Sequence, residues 1–217
     1  MKILALDSAT SACSAAVWAD GRVMARRHAE MARGQSEALV PMVAEVMAEV
    51  GLGFADLDLL AVTVGPGAFT GIRIGLAAAR ALALAAGLPL AGVSTLEAVA
   101  AAAPADGRPL LVVLDSKREE VWAQAFGPDR TPLTEPAALA PAEAAALAGP
   151  AWTVAGDAAA LVLPLLPGAA ACPARLPDAA VVAALAAARW PAGATLPPEP
   201  LYLRPADVTL PPSCPSN

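Results

Sequence analysis

The sequence predicts an α/β fold made of two related lobes, and two observations lead to this prediction. Short apolar runs typical of strands alternate along the chain with amphipathic or alanine-rich segments typical of helices. The chain also repeats itself, because ILALDS at 3–8 returns as LVVLDS at 111–116, and AVW at 16–18 returns as EVW at 120–122. The same order of strand, aspartate, turn and second strand in both halves indicates an internal duplication.

The start of the chain predicts a three-strand meander. Apolar runs cover residues 2–8, 13–19 and 22–30, and the pair Asp20-Gly21 between the last two is a tight hairpin signal.

An amphipathic helix is expected next, at residues 36–50, with its acidic residues off the apolar face. Pro41 has no amide proton to donate, so either the regular helix begins close to it or the first turn is bent there. One face of this helix carries six apolar side chains, those of Leu39, Met42, Val43, Val46, Met47 and Val50.

A strand, a glycine-rich loop and a second helix follow. Residues 58–64 predict a buried strand, and Thr70 can cap a helix that runs to residue 86, where Gly87 and Pro89 end it.

The sequence predicts a first lobe over residues 1–105. A second, smaller lobe is predicted over 106–190, and the proline-rich residues 191–217 predict an extended tail with a docked LYLR segment. The remaining elements expected are strands at 88–93 and 153–157, a helix at 96–103 capped by Thr95, and helices near 140–148, 158–166 and 179–190.

Charge and composition limit the function classes. The formal net charge of the 217 residues is -6, whereas tight binding of a polyanion requires a basic surface, so we expect no tight binding of a polyanion by this chain alone. No run of large apolar residues reaches the roughly 18 of a membrane span, and Asp7 interrupts the apolar start of the chain. Cys13, Cys172 and Cys214 are too few and too scattered for a disulfide framework. We therefore expect a cytoplasmic protein that has no membrane contact.

Two aspartates occupy equivalent positions at the ends of apolar strands, where open α/β sheets commonly bind ligands. Phosphate-binding turns usually carry glycine, but the turns DSAT at 7–10 and DSKR at 115–118 have none. We therefore predict a degenerate nucleotide cleft at Asp7, Ser8, Thr10 and Asp115. The alternative is that each aspartate only ends its strand and caps a turn.

The segment GPGAFTGIRIG at 65–75 places four glycines and a proline just before a helix. Because a helix N-terminus exposes free amides that attract anions, one interpretation is a nucleotide or carboxylate pocket with Arg73 nearby. The other, which we favour, is a tight strand-to-helix turn whose glycines permit close packing. The structural loop would then include Gly65, Pro66, Gly67, Gly71 and Arg73.

Residues suited to chemistry are few in this sequence. His28 is the single histidine and falls on a predicted strand, so no metal site can be assembled by the usual spacing. A Cys-His nucleophile pair and a Gly-x-Ser-x-Gly elbow are also absent from the sequence. We therefore predict no catalytic residue, no metal and no cofactor.

Six segments together resemble the TsaB (YeaZ) family over residues 3–205: ILALDSATSACSAAVW, SEALVPMV, GPGAFTGIRIG, GVSTLEA, LDSKREEVW and PLYLRP. GPGAFTGIRIG followed by GVSTLEA at this spacing is specific to this family and its catalytic paralogue TsaD. The paired metal-binding histidines of TsaD have no counterpart here, which selects TsaB.

The resemblance implies an actin-like (ASKHA) fold of two duplicated, ribonuclease H-like lobes. It also implies a homodimer when the chain is alone, and a heterodimer with TsaD that the ATPase TsaE joins. In that machinery TsaD transfers threonylcarbamoyl to N6 of the adenosine beside the anticodon in tRNAs that read ANN codons. This chain would be a non-catalytic subunit that activates TsaD and meets tRNA only through the complex.

By the same resemblance, the partner interface is built from the first two helices, and we expect Met42→Asp or Val46→Asp to abolish association. Alanines on the second helix favour its close packing against another helix. The implied interface consists of Leu39, Met42, Val43, Val46, Met47, Val50, Ile74, Ala77, Ala78 and Ala81.

Two positions depart from many relatives, since Gln35 replaces a histidine and Ala68 replaces the serine of GPGSFTG. The alternative function is an autonomous actin-like ATPase or kinase in which Asp7 and Asp115 hold magnesium-nucleotide, and the glycine-free turns argue against it. A peptidase would need a metal or a nucleophile, and the sequence offers neither.

Overall fold

The computed structural model describes residues 1–204, which form two five-stranded mixed sheets covered by helices. In the first sheet, β1 (Lys2–Asp7), β2 (Ala12–Ala19) and β3 (Arg22–Glu30) form the expected antiparallel meander. β4 (Leu59–Gly65) and β5 (Leu90–Ser94) extend it in parallel on the other side of β1.

The hairpin between β2 and β3 turns where the sequence predicts it. Asp20 has a φ of 50° and Gly21 a φ of 89°, the left-handed conformation of a tight hairpin turn.

The second sheet repeats the first. Read from β8, its strand order is β8-β7-β6-β9-β10, against β3-β2-β1-β4-β5 in the first sheet, and in both orders two antiparallel pairings are followed by two parallel ones. This correspondence confirms the duplication and defines a two-lobed, actin-like α/β fold. The five strands are β6 (Leu110–Asp115), β7 (Val121–Phe126), β8 (Ala137–Leu139), β9 (Thr153–Ala155) and β10 (Ala170–Ala171).

The helices form layers around and between the two sheets. α1 and α2 cover one face of the first sheet and α6 covers the other. α3 packs against the inner face of the second sheet, whose outer face is covered by α4 and α5. The helices are α1 (Gln35–Val50), α2 (Phe69–Ala86), α3 (Thr95–Ala102), α4 (Pro141–Ala145), α5 (Ala159–Val162) and α6 (Ala179–Arg189).

α6 belongs by its contacts to the first lobe, although its position in the sequence led us to assign it to the second. Its buried side chains, among them Val182 and Ala186, pack against Ile3 and Leu59 of the first sheet. Its N-cap residue Asp178 accepts a 2.6 Å hydrogen bond from Nε of Arg26 on β3. The chain therefore crosses back from the second lobe before it enters this helix.

The apolar stripe of α1 is used inside its own lobe. Leu39, Val43, Val46 and Met47 are buried in the core that α1 forms with the first sheet, so they do not present a surface to a partner. The periodicity that predicted an amphipathic helix marks the side of α1 that packs on the sheet, although the resemblance implied a partner interface there. The other residues of the implied interface are half-buried at Met42, Val50, Ile74 and Ala78, and exposed at Ala77 and Ala81.

Two predicted helix caps are wrong. α2 begins one residue before Thr70 with Ala68 at the N-cap, and α3 begins at Thr95 itself with Ser94 at the N-cap. Neither N-cap side chain makes a capping hydrogen bond, so neither helix start is stabilised by a side-chain cap. Pro41 lies inside α1 and is not its first residue.

The chain after α6 runs back along the first lobe. Leu196 pairs with Gly92 of β5, and the amide of Leu201 donates a 2.8 Å hydrogen bond to the carbonyl of Val64. Residues 205–217, including Cys214 and the last prolines of the predicted tail, lie outside the described residues.

Candidate functional site

The glycine-rich loop between β4 and α2 packs directly on the turn that follows β1. A Cβ atom added at Gly67 would lie 2.2 Å from the carbonyl oxygen of Ala9, and one added at Gly71 would lie 2.2 Å from that of Ser8. The Ser8 hydroxyl donates a 2.9 Å hydrogen bond to the carbonyl of Gly71. Close backbone packing therefore requires these glycines, as the sequence interpretation of a tight turn proposed.

Asp7 is fully buried beneath this contact. Oδ1 accepts hydrogen bonds from the Thr63 hydroxyl at 2.6 Å and from the Ala9 amide at 3.2 Å, while Oδ2 has no partner among the described residues. Burial raises the pKa of Asp7 to about 7, because a charged carboxylate loses its hydration there. Ser8 is also fully buried, so neither Asp7 nor Ser8 of the predicted nucleotide cleft is accessible to a ligand.

Asp115, the equivalent residue of the second lobe, is partly exposed. Its side chain accepts hydrogen bonds from both the Lys117 amide and Nζ at 2.7 Å, and its own amide donates to Oδ1 of Asp157 at 2.9 Å. Burial alone would raise the pKa of Asp115, but the hydrogen bonds from Lys117 outweigh it and the pKa is lowered. The two aspartates are thus equivalent in the fold, but the pKa of Asp7 is raised and that of Asp115 is lowered, and only Asp115 is partly exposed.

Two cavities lie between the lobes. The larger, of about 640 Å³, is lined by residues 66–69 and Arg73 of the first lobe, by 116–118 and Trp122 of the second, and by 201–204. The smaller, of about 360 Å³, lies beside it and has Thr10, Gln35, Ile74 and Asp115 in its wall. Of the predicted cleft residues, Thr10 and Asp115 share this smaller cavity.

The larger cavity combines cationic and aromatic side chains. The Arg73 guanidinium lies 3.6 Å above the ring of Phe69, and its Nε donates a 3.0 Å hydrogen bond to the Tyr202 hydroxyl. Phe69 and Tyr202 also stack, with their ring centroids 5.4 Å apart. The cationic residues that line the larger cavity are Arg73, Lys117, Arg118 and Arg204.

Sequence reasoning placed Arg73 near a site but missed the aromatic residues of this cavity. Phe69 and Tyr202 are separated by most of the chain, and Trp122 comes from the other lobe. The one sequence signal that could have pointed to Tyr202 was the expected docking of the LYLR segment at 201–204. That expectation did not say which residues the segment contacts.

The outer sides of α1 and α2 expose apolar residues. Leu84 on α2 is 86% exposed and Val40 on α1 is 57% exposed. Among the described helices, α2 alone is long and apolar enough to cross a membrane by length and composition, and 33% of it is buried within the lobe. Much of this apolar helix therefore faces outward.

Other candidate groups have structural roles here. Gln35 donates 3.2 Å hydrogen bonds to the carbonyls of Thr10 and Met31, which ties the start of α1 to the first lobe. His28 lies on β3, with Nδ1 3.7 Å from Asp178. Within residues 1–204, no group of three or more His, Cys, Asp or Glu side chains is arranged to hold a metal.

A family model supports the resemblance found in the sequence. The model described as TsaD, tRNA N6-adenosine threonylcarbamoyltransferase, matches residues 28–162, more than half of the chain.

Curated relatives match the first part of the chain. The tRNA threonylcarbamoyladenosine biosynthesis protein TsaB of Escherichia coli is 43% identical over 128 residues, which cover 57% of this chain and 54% of that protein. The protein of the same name from Haemophilus influenzae is 37% identical over 126 residues, covering 56% and 52%. The matched part thus spans about half the length of these relatives.

Solved structures match almost the whole described chain. YeaZ from Pseudomonas aeruginosa has a TM-score of 0.82 at 29% identity, covering 93% of this chain and 99% of that one. A second structure, described as an uncharacterized protein similar to peptidase YeaZ from Pseudomonas aeruginosa, has a TM-score of 0.82 at 30% identity and covers 94% and 99%.

Proposed function

The chain belongs to the TsaB (YeaZ) family, and from this premise we propose that it is a non-catalytic subunit of the machinery that forms threonylcarbamoyladenosine in tRNA. Its role is to bind the catalytic subunit TsaD and to activate it. The names of the matching family model and of the two curated relatives support a place in this process.

The observation that carries the subunit role is an exposed apolar surface on the first two helices, which we name the α1–α2 surface. It consists of Val40, Ala44, Ala77, Ala81 and Leu84. Exposed apolar patches of this kind mark protein contacts, and the alanines allow a partner helix to approach closely. We propose that TsaD covers this surface in the complex and that a second copy of the chain covers it when TsaD is absent.

The remaining partners follow from charge and from the family. With a formal net charge of -6, the chain is poorly suited to bind tRNA by itself, so tRNA is reached through TsaD. TsaE joins the same complex as its ATPase.

An autonomous ATPase or kinase is the weaker candidate. It would use Asp7 and Asp115 together, but Asp7 is buried beneath the loop at 65–71 and its raised pKa opposes the ionised form that magnesium requires. A non-catalytic subunit, unlike such an enzyme, does not need the carboxyl groups of Asp7 and Asp115 to face the cleft.

Reconstitution tests the proposed function directly. Unmodified tRNA is incubated with TsaD, TsaE, the adenylate-forming synthase, threonine, bicarbonate and ATP, with and without this chain, and threonylcarbamoyladenosine is measured by nucleoside mass spectrometry. We expect the modified nucleoside only when the chain is present. Equal modification without it, together with no binding to TsaD, would contradict the proposal.

Leu84→Asp tests the α1–α2 surface. The leucine is 86% exposed, so the charge leaves the fold intact but opposes burial in an interface. We expect loss of copurification with TsaD and of threonylcarbamoyladenosine formation. Leu161→Asp is the matched control, because Leu161 is 53% exposed on α5 in the other lobe. If both variants bind TsaD like the parent protein, the interface lies elsewhere.

A further inference from the structure

Residues 196–204, which we name the strap, run along the first lobe and end against the second. We propose that the strap is a latch that holds the two lobes in a fixed orientation, and that the ion pair between Arg204 and Glu120 closes it. The proposal concerns the conformation of the isolated chain and does not depend on its association with TsaD.

The first part of the strap is bound to the first lobe by its backbone. Leu196 and Gly92 of β5 exchange two backbone hydrogen bonds, of 3.0 Å and 2.8 Å. The Arg80 guanidinium on α2 donates to the carbonyl of Pro198, from Nε at 3.1 Å and from Nη2 at 2.6 Å. A Cβ atom added at Gly92 would lie 2.5 Å from the carbonyl oxygen of Pro197, so the strap lies directly on β5.

The next residues of the strap are fixed in the same way. The Leu201 amide donates a 2.8 Å hydrogen bond to the carbonyl of Val64, and the Leu201 side chain packs against the core of the first lobe. A Cβ atom added at Gly65 would lie 2.7 Å from the carbonyl oxygen of Leu201. Nε of Arg73 donates a 3.0 Å hydrogen bond to the Tyr202 hydroxyl. The strap is therefore anchored to the first lobe before it reaches the second.

The contact of the strap with the second lobe is of a different kind. It is made by the Arg204 guanidinium, which pairs with the carboxylate of Glu120 in the turn between β6 and β7. Oε2 of Glu120 is buried and accepts no hydrogen bond from another described residue. Arg204 compensates the charge of this oxygen, so removal of Arg204 favours an arrangement in which water reaches Glu120.

The lobes are not closely packed where the strap spans them. The larger cavity, of about 640 Å³, lies between residues 201–204 and residues 116–118 of the second lobe, and the smaller one, of about 360 Å³, lies beside it. Close packing resists displacement, whereas such cavities offer little resistance. The layer of α3 and α6 joins the lobes and serves as the hinge about which they turn when the latch is open.

Residual dipolar couplings of the backbone amides in the two sheets, measured on the full chain by nuclear magnetic resonance, test the proposal. One alignment tensor should fit both sheets of the parent protein, because the latch fixes the orientation of the lobes. Arg204→Glu places two carboxylates at the latch, which repel each other. We expect this variant to lose the common tensor, with the second sheet requiring a tensor of its own.

Two further variants separate the latch from a general effect of charge. Arg204→Glu/Glu120→Arg exchanges the charges of the pair and should restore the common tensor. Arg175→Glu is the matched control, because Arg175 pairs with Glu30 at 3.9 Å outside the strap, through side chains that are 60% and 61% exposed. This control should keep the common tensor, and circular dichroism establishes that all three variants are folded.

Hydrogen exchange distinguishes an open latch from a detached strap. In Arg204→Glu the amides of Leu196 and Leu201 should exchange as slowly as in the parent protein, because their bonds to Gly92 and Val64 remain.

A common tensor in Arg204→Glu, separate tensors in the parent protein, or no recovery in the charge-exchanged variant would each overturn the proposal. An equal effect of Arg175→Glu, or fast exchange of the Leu196 and Leu201 amides in Arg204→Glu, would do the same. None of these results bears on whether TsaD activity requires the chain, so the two proposals fail separately.

Discussion

A single carboxyl group, that of Asp7, is enclosed completely by the first lobe. The Thr63 hydroxyl and the Ala9 amide both donate to Oδ1, yet Oδ2 has no partner, so the loss of hydration dominates and the pKa rises to about 7. Asp115 keeps a lowered pKa because Lys117 binds it. Two residues that occupy the same place in a duplicated fold therefore differ because their surroundings differ.

Asp7→Asn tests this enclosure. The folded state binds the proton of Asp7 more tightly than the unfolded state, so its contribution to stability is full below the unfolded pKa of 3.8 and is lost as pH rises towards about 7. The free energy of unfolding of the parent protein, relative to the variant, should fall across this window with a slope of up to about 1.4 kcal/mol per pH unit. Urea denaturation at several pH values measures it, and parallel curves for the two proteins would show that Asp7 is not enclosed in this way.

Gly71→Ala tests the close contact between α2 and the turn after β1. Within a helix this change usually stabilises by about 0.5–1 kcal/mol, but here the new Cβ would lie 2.2 Å from the carbonyl oxygen of Ser8. We expect a lower melting temperature by calorimetry. Gly53→Ala is the control, because its Cβ would meet nothing closer than 3.5 Å and should leave stability nearly unchanged.

Among the elements, α1 shows most clearly how one pattern can support two interpretations. Its apolar stripe is what an interface helix would show, and it is also what a helix needs to cover its own sheet. The structure assigns the stripe to the sheet, with Val46 fully buried, and leaves Val40 on the outer side. Val46→Asp, which we first expected to report on association, instead reports on folding.

A pair of α1 variants separates these two roles. Val46→Asp places an unpaired charge in the core and should cost several kcal/mol, leaving an unfolded or insoluble protein. Val40→Asp should keep the helical circular dichroism spectrum but lose association in pull-down and light-scattering experiments. A folded Val46→Asp protein that fails only to associate would contradict this description of α1.

At the scale of the whole molecule, each lobe is completed by a helix from another part of the chain. α6 follows the second lobe in the sequence but covers one face of the first sheet. α3 precedes the second lobe in the sequence and covers one face of the second sheet. An ion pair of 2.6 Å between Arg189 and Glu97 links these two helices. The lobes therefore share the layer between them, and we expect that neither folds independently.

A fragment of residues 1–105 tests this dependence. Without α6, Ile3, Ala5 and Leu59 on the uncovered face of the first sheet would be exposed to water. We expect the fragment to be insoluble or to give the poorly dispersed amide spectrum of an unfolded chain. The full chain should unfold in one calorimetric transition, and a well-dispersed spectrum of the isolated fragment would contradict this prediction.

Most strands and most helices could be predicted from local pattern because each has a strong period or clear end signals. β1, β2 and β3 were found at their observed places, as was α1, whose six apolar side chains repeat at helical spacing. β8 and β10, of three and two residues, were missed, because strands this short are defined by hydrogen bonds to a neighbouring strand. The candidate site was found only in part, since its glycine loop carries a local signal but its aromatic residues do not.

By itself, the sequence determined the α/β class, the duplication and the resemblance to a family, because each of these is written in local periodicity or in contiguous motifs. Only the tertiary structure decided that Asp7 is buried, that α6 returns to the first lobe, and that residues 201–204 close a cavity between the lobes. Those features depend on contacts between residues far apart in the chain. Burial and charge pairing at such contacts are fixed by packing, which no local pattern specifies.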